Sequence, residues 1–488
     1  MTAIEKSDAL PKRFKFSKAM AWLFLFSSFY MLMYTYWRSE IVNMGVLRAY
    51  YDSFYLIGSL GALFWIIVLR LRDEVRLNLV IASISLIVGV YAVEILLSFT
   101  YPMSTSNRFA AQKAGVAYDT RNAWEVVRDL RKKGVDAIPY PLHPVGDTSF
   151  YPFGSVSGKT AVVYNETGKY MVIQSDRYGF NNPDSVWDSK TIDWGLIGDS
   201  FTFGLAVQSG EDIGSQIRNL TNSSVINFGR PGIGPLLQLA GLKEYVEPKA
   251  PKRVLWMYWE GNDLHNLISE KENSLLMKYL QPGFSQDLIH RQDKVDAFFT
   301  NRIQLADSKV SKKVEPPQEE VGQSMLSNPF RSLITEARAH TAGLRHEKKA
   351  PSALLRLVNL RNHIGLQSGD SGFKKTIEIG LTPLFIDILT LARDRVTEHG
   401  GELYFVYLPR AQRYLNFMVD HDAYAKRGEV LNAVRSLGIP VIDTHQEVFV
   451  NHQPDPLNLF PFRMRNHYNA EGYRLVAKAI VERVEEIQ

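Results

Sequence analysis

The sequence predicts an α/β protein: a doubly wound sheet of five parallel strands preceded by three transmembrane helices. Three observations carry that prediction. Residues 1–99 hold nearly all the long apolar runs of the 488-residue chain, five short apolar runs mark the remainder, and helical patterns lie between several of them. Strand, helix, strand alternation points to a parallel sheet covered on both faces, whose strands read as continuous apolar runs. The expected domains are a three-helix anchor at 1–99, a juxtamembrane helix, linker and hairpin at 100–190, and an α/β domain at 191–488 with a helical, flexible insertion at about 268–372.

Residues 19–37, 54–71 and 77–99 form the three long apolar runs, each close to the ~20 residues that cross a hydrocarbon core. The first lacks a small-x-small cleavage site and two more runs follow it, so the anchor is expected to stay attached. Lys12, Arg13, Lys15 and Lys18 precede the first run, and Arg70, Arg72 and Arg76 fill the second joint. The first joint sets Arg38 and Arg48 against Glu40 and Asp52. Basic residues at span ends are retained in the cytoplasm. The N-terminus is therefore expected inside a bacterial cytoplasmic membrane, and everything after Tyr101 in the periplasm or outside the cell. Glu94 lies within the third run, where an ionised group is costly unless paired; it is expected to reach the interface or pair locally rather than serve a proton path.

The chain has no cysteine, which excludes disulfides, thiolate metal sites and a cysteine nucleophile. Its net charge of +5 is spread out and partly belongs to the membrane flanks, so no nucleic-acid partner is expected.

After the anchor, residues 104–133 read as mainly helical, with Gly115 as a break, and a proline-rich linker follows from Ile138. Residues 160–164 and 169–174 form a predicted hairpin around the turn Asn165-Glu166-Thr167-Gly168. The five predicted parallel strands are 194–197, 224–228, 254–259, 403–407 and 441–442. The clearest helices are Pro383–Glu398, stopped by Gly400-Gly401, and 429–436, stopped near Gly438. Residues 268–372 are polar, charged and poor in strand signals, the basis for reading them as an inserted cap.

Four segments carry chemistry. Gly198-Asp199-Ser200 follows the first strand of the predicted sheet, where a tight turn presents a serine hydroxyl and its own N–H to a substrate. Alone, such a turn equally caps a helix, and Asp199 is expected to hold it through local hydrogen bonds. Asn227-Phe228-Gly229-Arg230-Pro231-Gly232 follows the second strand. Its spacing departs from G-x-G-x-x-G and Pro231 removes an amide, so a dinucleotide loop is disfavoured, while the Gly232 N–H can face an oxyanion. Gly261-Asn262-Asp263 follows the third strand, with the Asn262 side chain as a further donor. His467, in His467-Tyr468-Asn469-Ala470-Glu471-Gly472, precedes the last helix and can serve as general base.

In this order, Gly-Asp-Ser, Asn-x-Gly-x-x-Gly, Gly-Asn-Asp and His-x-Asn-x-x-Gly, the chain resembles the SGNH (GDSL-type) hydrolases from about Asp193 to the C-terminus. The resemblance implies a flavodoxin-like sheet of SGNH type and Ser200 as nucleophile. It further implies the Ser200 and Gly232 amides with Asn262 as oxyanion hole, and His467 as base. It does not cover the anchor or the insertion. One feature departs from the family: the aspartate usually two or three residues before the histidine is replaced by Arg465 and Met464. Asp443 and Asp455 are candidate substitutes, with Asp455 preferred because its loop also carries His467. A Ser–His dyad oriented by a backbone carbonyl stays open.

His265 follows Asn262 closely, but no ligand spacing suggests a metal, and neither metal nor cofactor is expected. Arg410 stands at a strand end, as a surface residue or a contact for an anionic substrate. By analogy with the family, the expected activity is that of a serine esterase or O-acyltransferase acting on O-acetylated cell-envelope or exported polysaccharide. The alternatives are a non-catalytic SGNH-like binder or scaffold of an envelope assembly, and a lipid esterase.

Overall fold

The computed structural model describes residues 12–42, 48–100, 107–143, 145–312, 357, 360, 380–415, 424–464 and 467–487. The chain divides into two units, the first holding the N-terminal helices together with Leu360, the second beginning at Ser104.

In the first unit the apolar runs form α1 (Lys12–Tyr36), α2 (Arg48–Arg70) and α3 (Asp73–Thr100). They meet through Ala21, Leu25, Ala62, Trp65, Val68 and Val80, and Phe24 stacks on Trp65 at 4.6 Å. Gly58 and Gly61 allow α2 to approach Leu32 and Ser28 of α1, where a Cβ would overlap them. Phe26, Met33, Leu86 and Leu96 remain exposed, a surface that water disfavours. Two stretches are long and apolar enough to cross a membrane, Arg13–Ile41 with mean hydropathy 1.3 and Asp73–Leu97 with 2.4; the intervening apolar helix stretch, Phe54–Arg70, is shorter. Glu94 is buried and accepts the Leu360 N–H at 2.7 Å. This partner is not the local one expected but a backbone N–H distant in sequence, in the stretch read as the insertion.

The second unit begins with α4 (Asn107–Lys113) and α5 (Ala123–Lys132). Gly115, at φ +69°, breaks the expected single helix, and an Asn122–Glu125 capping box starts the next. A small sheet follows: β1 (Ala137–Pro139), β2 (Thr160–Val162) and β3 (Val172–Gln174). The predicted hairpin is the antiparallel pair β2–β3, and the linker adds β1 parallel to β2.

The main sheet contains β4 (Trp194–Gly198), β5 (Val225–Gly229), β6 (Arg253–Trp259), β7 (Glu402–Leu408) and β8 (Val441–Asp443). All are parallel, in the order β5-β4-β6-β7-β8. Successive residues of one strand enter opposite cores: Val254, Trp256 and Tyr258 face one, Leu255 and Met257 the other. Each core needs its own helical cover, hence the doubly wound arrangement. After the one-turn α6 (Ser200–Phe203), α7 (Ile213–Thr221) covers the second core and α8 (Pro235–Gly241) the first. The connections continue with α9 (Asp263–Glu270), α10 (Gln292–Lys312), α11 (Pro383–Glu398), α12 (Arg427–Ser436) and α13 (Ala470–Ile487). Helix α13 packs on α7, and α11 on α8 and β7. This strand order reverses direction beside β4, so the crevice between β4 and β6 is where a ligand is expected at the strand ends.

The predicted insertion begins too early. Leu275, Leu276, Tyr279, Leu288, Val295 and Phe299 are all buried in the first core, so residues through α10 belong to the packed domain. Their apolar positions are sparse and separated by charges, which hid them from a composition reading. Of the predicted insertion, residues 313–356, 358, 359 and 361–372 lie outside the described residues.

Candidate active site

β4 ends in Gly198, and Asp199 caps the one-turn helix that Ser200 opens. Asp199 Oδ1 accepts the Phe201 N–H at 2.9 Å, the turn-holding role expected of it. Neighbouring β5 fastens the same turn: Asn227 Nδ2 donates to Thr202 O at 2.6 Å, and Asn227 Oδ1 accepts the Gly229 N–H at 2.7 Å. A Cβ at Gly229 would fall onto the backbone of Thr202 and Phe203. Gly229→Ala is expected to destabilise the domain by about 3 kcal/mol, the upper end of overpacking costs. The check is a urea melt, where an unchanged midpoint would contradict this packing.

The loop before α13 delivers His467. Tyr468 OH donates to Pro409 O at 2.6 Å, Asn469 Nδ2 donates to Asn458 O at 2.7 Å, and Asn469 Oδ1 accepts the Gly472 N–H at 2.9 Å. The His-x-Asn-x-x-Gly spacing is thus the wiring of one helix start. His467 Nε2 lies 2.8 Å from Ser200 Oγ, while the serine's alternative contact, Asp199 Oδ2, is at the 3.5 Å limit. The hydroxyl therefore donates to the imidazole.

The other ring nitrogen meets an acid the sequence did not single out. His467 Nδ1 is 2.9 Å from Glu166 Oε1, and the His467 backbone N–H donates to Glu166 Oε2, also at 2.9 Å. A carboxylate can only accept, so Nδ1 carries the proton and Nε2 is the free base. Glu166 occupies the turn between β2 and β3 and is buried. Burial lowers the His467 pKa, but Glu166 and then Asp199 outweigh it, leaving the imidazole above its ordinary 6.5. Burial also pushes Asp199 up to about 6, against its hydrogen bond from Phe201 N–H and the nearby imidazole.

Asp455, the preferred acid, is corrected. Its Oδ1 accepts the Leu457 N–H at 2.8 Å and its other oxygen pairs with Arg463; local partners satisfy it, and Glu166 occupies the position it was assigned. Asp443 pairs with Arg427. The dyad alternative falls with Glu166 in place, since a carboxylate rather than a carbonyl orients the ring. Arg410 is buried: its N–H donates to Glu260 Oε1 at 2.8 Å and its guanidinium lies 5.8 Å from the Trp259 ring centre. Trp259 stacks on Phe201 at 4.7 Å, and Phe201 lies 4.6 Å from the His467 ring. This aromatic wall backs the base.

Gly232 and Asn262 follow β5 and β6, the two strands flanking β4. Gly232 has φ +81°, and its carbonyl and that of Ile233 each accept from Asn266 Nδ2 at 3.2 Å. Glu270 fixes the end of this loop by accepting the Leu236 N–H at 3.0 Å. The Asn262 side chain does not cap α9, and its Oδ1 is buried without a hydrogen-bond partner among the described residues. Asp263 receives Gln238 Nε2 at 3.1 Å, and burial, followed by Asp199, holds it well above the carboxylate range. A cavity of about 300 Å³ opens beside Gly232, with Tyr151, Asn266, Ser269 and Asn273 in its wall. His265, on α9, is partly buried.

No family model matches the chain, and no curated protein does. One crystal structure aligns over 61% of this chain and 98% of its own at 13% identity, with a TM-score of 0.28, a likeness too slight to carry any argument. What the site can do follows from its own geometry: a serine hydroxyl hydrogen-bonded to a base that a buried carboxylate orients.

Proposed function

We propose that this chain is a serine esterase or O-acyltransferase of SGNH type, with Ser200 as nucleophile, His467 as base and Glu166 as the orienting acid. The observation that carries the reading is His467 held between Ser200 Oγ and Glu166. In the reaction, Ser200 Oγ attacks the acyl carbonyl as its proton passes to Nε2. The Ser200 and Gly232 amides with Asn262 receive the oxyanion, and the imidazolium returns its proton to the departing alcohol. An acyl-serine remains, and water or a sugar hydroxyl then takes the acyl group with His467 again as base. Glu166 stabilises the imidazolium in both halves.

The substrate is proposed as O-acetylated envelope or exported polysaccharide. The setting is proposed as a bacterial cytoplasmic membrane crossed by α1, α2 and α3, with the sheet domain on the outer side; the apolar composition of the three helices and the basic flanks favour it. The non-catalytic alternative drew on the missing acid before His467, and Glu166 removes that support.

A fluorophosphonate probe tests the proposal on the full chain in lipid or detergent. Adduct is expected on Ser200, with labelling slowed about 10²–10⁴-fold in His467→Gln, the usual contribution of a general base. A native protein inert to the probe, or labelled equally without His467, overturns it.

A further inference from the structure

Glu166 cannot act by itself, because it sits on a hairpin turn and needs something to hold that turn against the histidine loop. The chain just after α4 does so. Val116 N–H turns back onto Ala111 O at 2.8 Å, which lays residues 116–119 along the turn. Tyr118 OH donates to Asn165 O at 2.9 Å, Asn165 Nδ2 donates to Asp119 O at 3.0 Å, and the Asp119 N–H donates to Gly168 O at 2.8 Å. Inside the turn, Asn165 Oδ1 accepts the Gly168 N–H at 2.8 Å. Gly168, at φ +99°, has no room for a Cβ, which would meet Ala117 O. α4 itself packs on the Pro461–Arg463 turn that leads into the His467 loop. α4 therefore touches the turn that leads to the base, while the strap just after it holds the segment bearing the acid.

We infer that Tyr118 and Asn165 are positioning residues, and that the strap at 116–119 uses them to seat Glu166 on His467. The inference rests on the proposed triad but is read by a different measurement. Glu166 and Asp199 are the charged groups that raise the imidazole's pKa, and the Glu166 charge also adds to the upward shift that burial gives the phenols of Tyr118, Tyr164 and Tyr473. If the strap loosens, the carboxylate spends less time on Nδ1 and the imidazole loses its largest source of upward shift.

The test is the titration of His467 by NMR on the full chain labelled with ¹⁵N-histidine, its resonance assigned by its loss in His467→Gln. Tyr118→Phe is expected to lower the His467 pKa by about half a unit, and Asn165→Ala by more, with proton affinity falling about threefold to tenfold per lost hydrogen bond. Tyr170→Phe is the comparison: it removes a 2.8 Å hydrogen bond to Arg121 O further along the chain, and His467 is expected to titrate as in the native protein. The inference is overturned if neither strap variant moves the titration, or if Tyr170→Phe moves it equally. Because titration needs no turnover, failure of the probe reaction on Ser200 would sink the catalytic proposal and leave this result readable.

Discussion

Replacing Glu166 by glutamine is expected to lower kcat about 10⁴-fold, the loss seen when a serine triad exchanges its carboxylate for an amide. Glutamine keeps one of the two acceptor oxygens that meet His467, so its NH2 must face either Nδ1, favouring the wrong tautomer, or the histidine's backbone N–H, and the imidazolium formed during attack loses its counter-charge as well. The pH profile should change as well. The base works unprotonated, so activity rises as pH passes the His467 pKa, which Glu166 and Asp199 hold above 6.5. In the variant, burial opposes Asp199 alone and the acid limb moves to lower pH. Stability runs the other way: a raised folded pKa stabilises the fold fully below the unfolded value of 6.5 and loses that contribution as pH climbs through the folded value. The native protein's stability advantage over the variant should therefore be largest at acidic pH. Rates within tenfold of native, with an unmoved acid limb, would remove Glu166 from the mechanism.

The largest stability effect is expected at Arg413. Its guanidinium and the Glu260 carboxylate are wholly buried together, and Glu260 also accepts from Tyr407 OH and from the Arg410 N–H at 2.8 Å. Burial lowers the Arg413 pKa, but Glu260 more than reverses this, and the net direction is upward. Arg413→Ala strands a carboxylate with no counter-charge, at a cost of about 3–5 kcal/mol and a melting temperature about 10 °C lower for a domain of this size. Arg413→Met combined with Glu260→Gln removes both charges and should melt above Arg413→Ala. Equal melting of the single and double variants would show that the pair's charge is not what matters. Glu260 lies between Trp259 and Gly261, so the single variant should also loosen the Asn262 turn.

The five main strands were legible because a parallel strand buried on both faces must be apolar at every position, and their observed ends fall within two residues of the apolar runs. Ser200 and His467 were legible for a related reason: each sits at a strand end or helix start whose neighbours, Asn227 and Asn469, are fixed by local hydrogen bonds that constrain sequence. Glu166 offered no such signal. It is 301 residues from its partner, and an Asn-Glu-Thr-Gly turn reads as solvent-facing when only the turn is visible. The clue was indirect: with Met464 and Arg465 where the acid usually stands, one had to come from elsewhere. Asp455 shares the histidine's loop in sequence, but in space its carboxylate is taken up by Leu457 N–H and Arg463. The linker's strand β1 was hidden by its prolines, and the core residues of α10 by surrounding charge.

The acid, alone of the three reacting groups, is borne by the small β1–β2–β3 sheet rather than by the five-stranded one. Ile138, Ala161 and Ile173 tie its strands into the first core, but opening short strands generally costs less than melting a whole domain, so under the proposed mechanism a local opening there would disarm the site before the fold is lost. Ser200 and His467 would remain side by side, with no carboxylate to make their partnership productive.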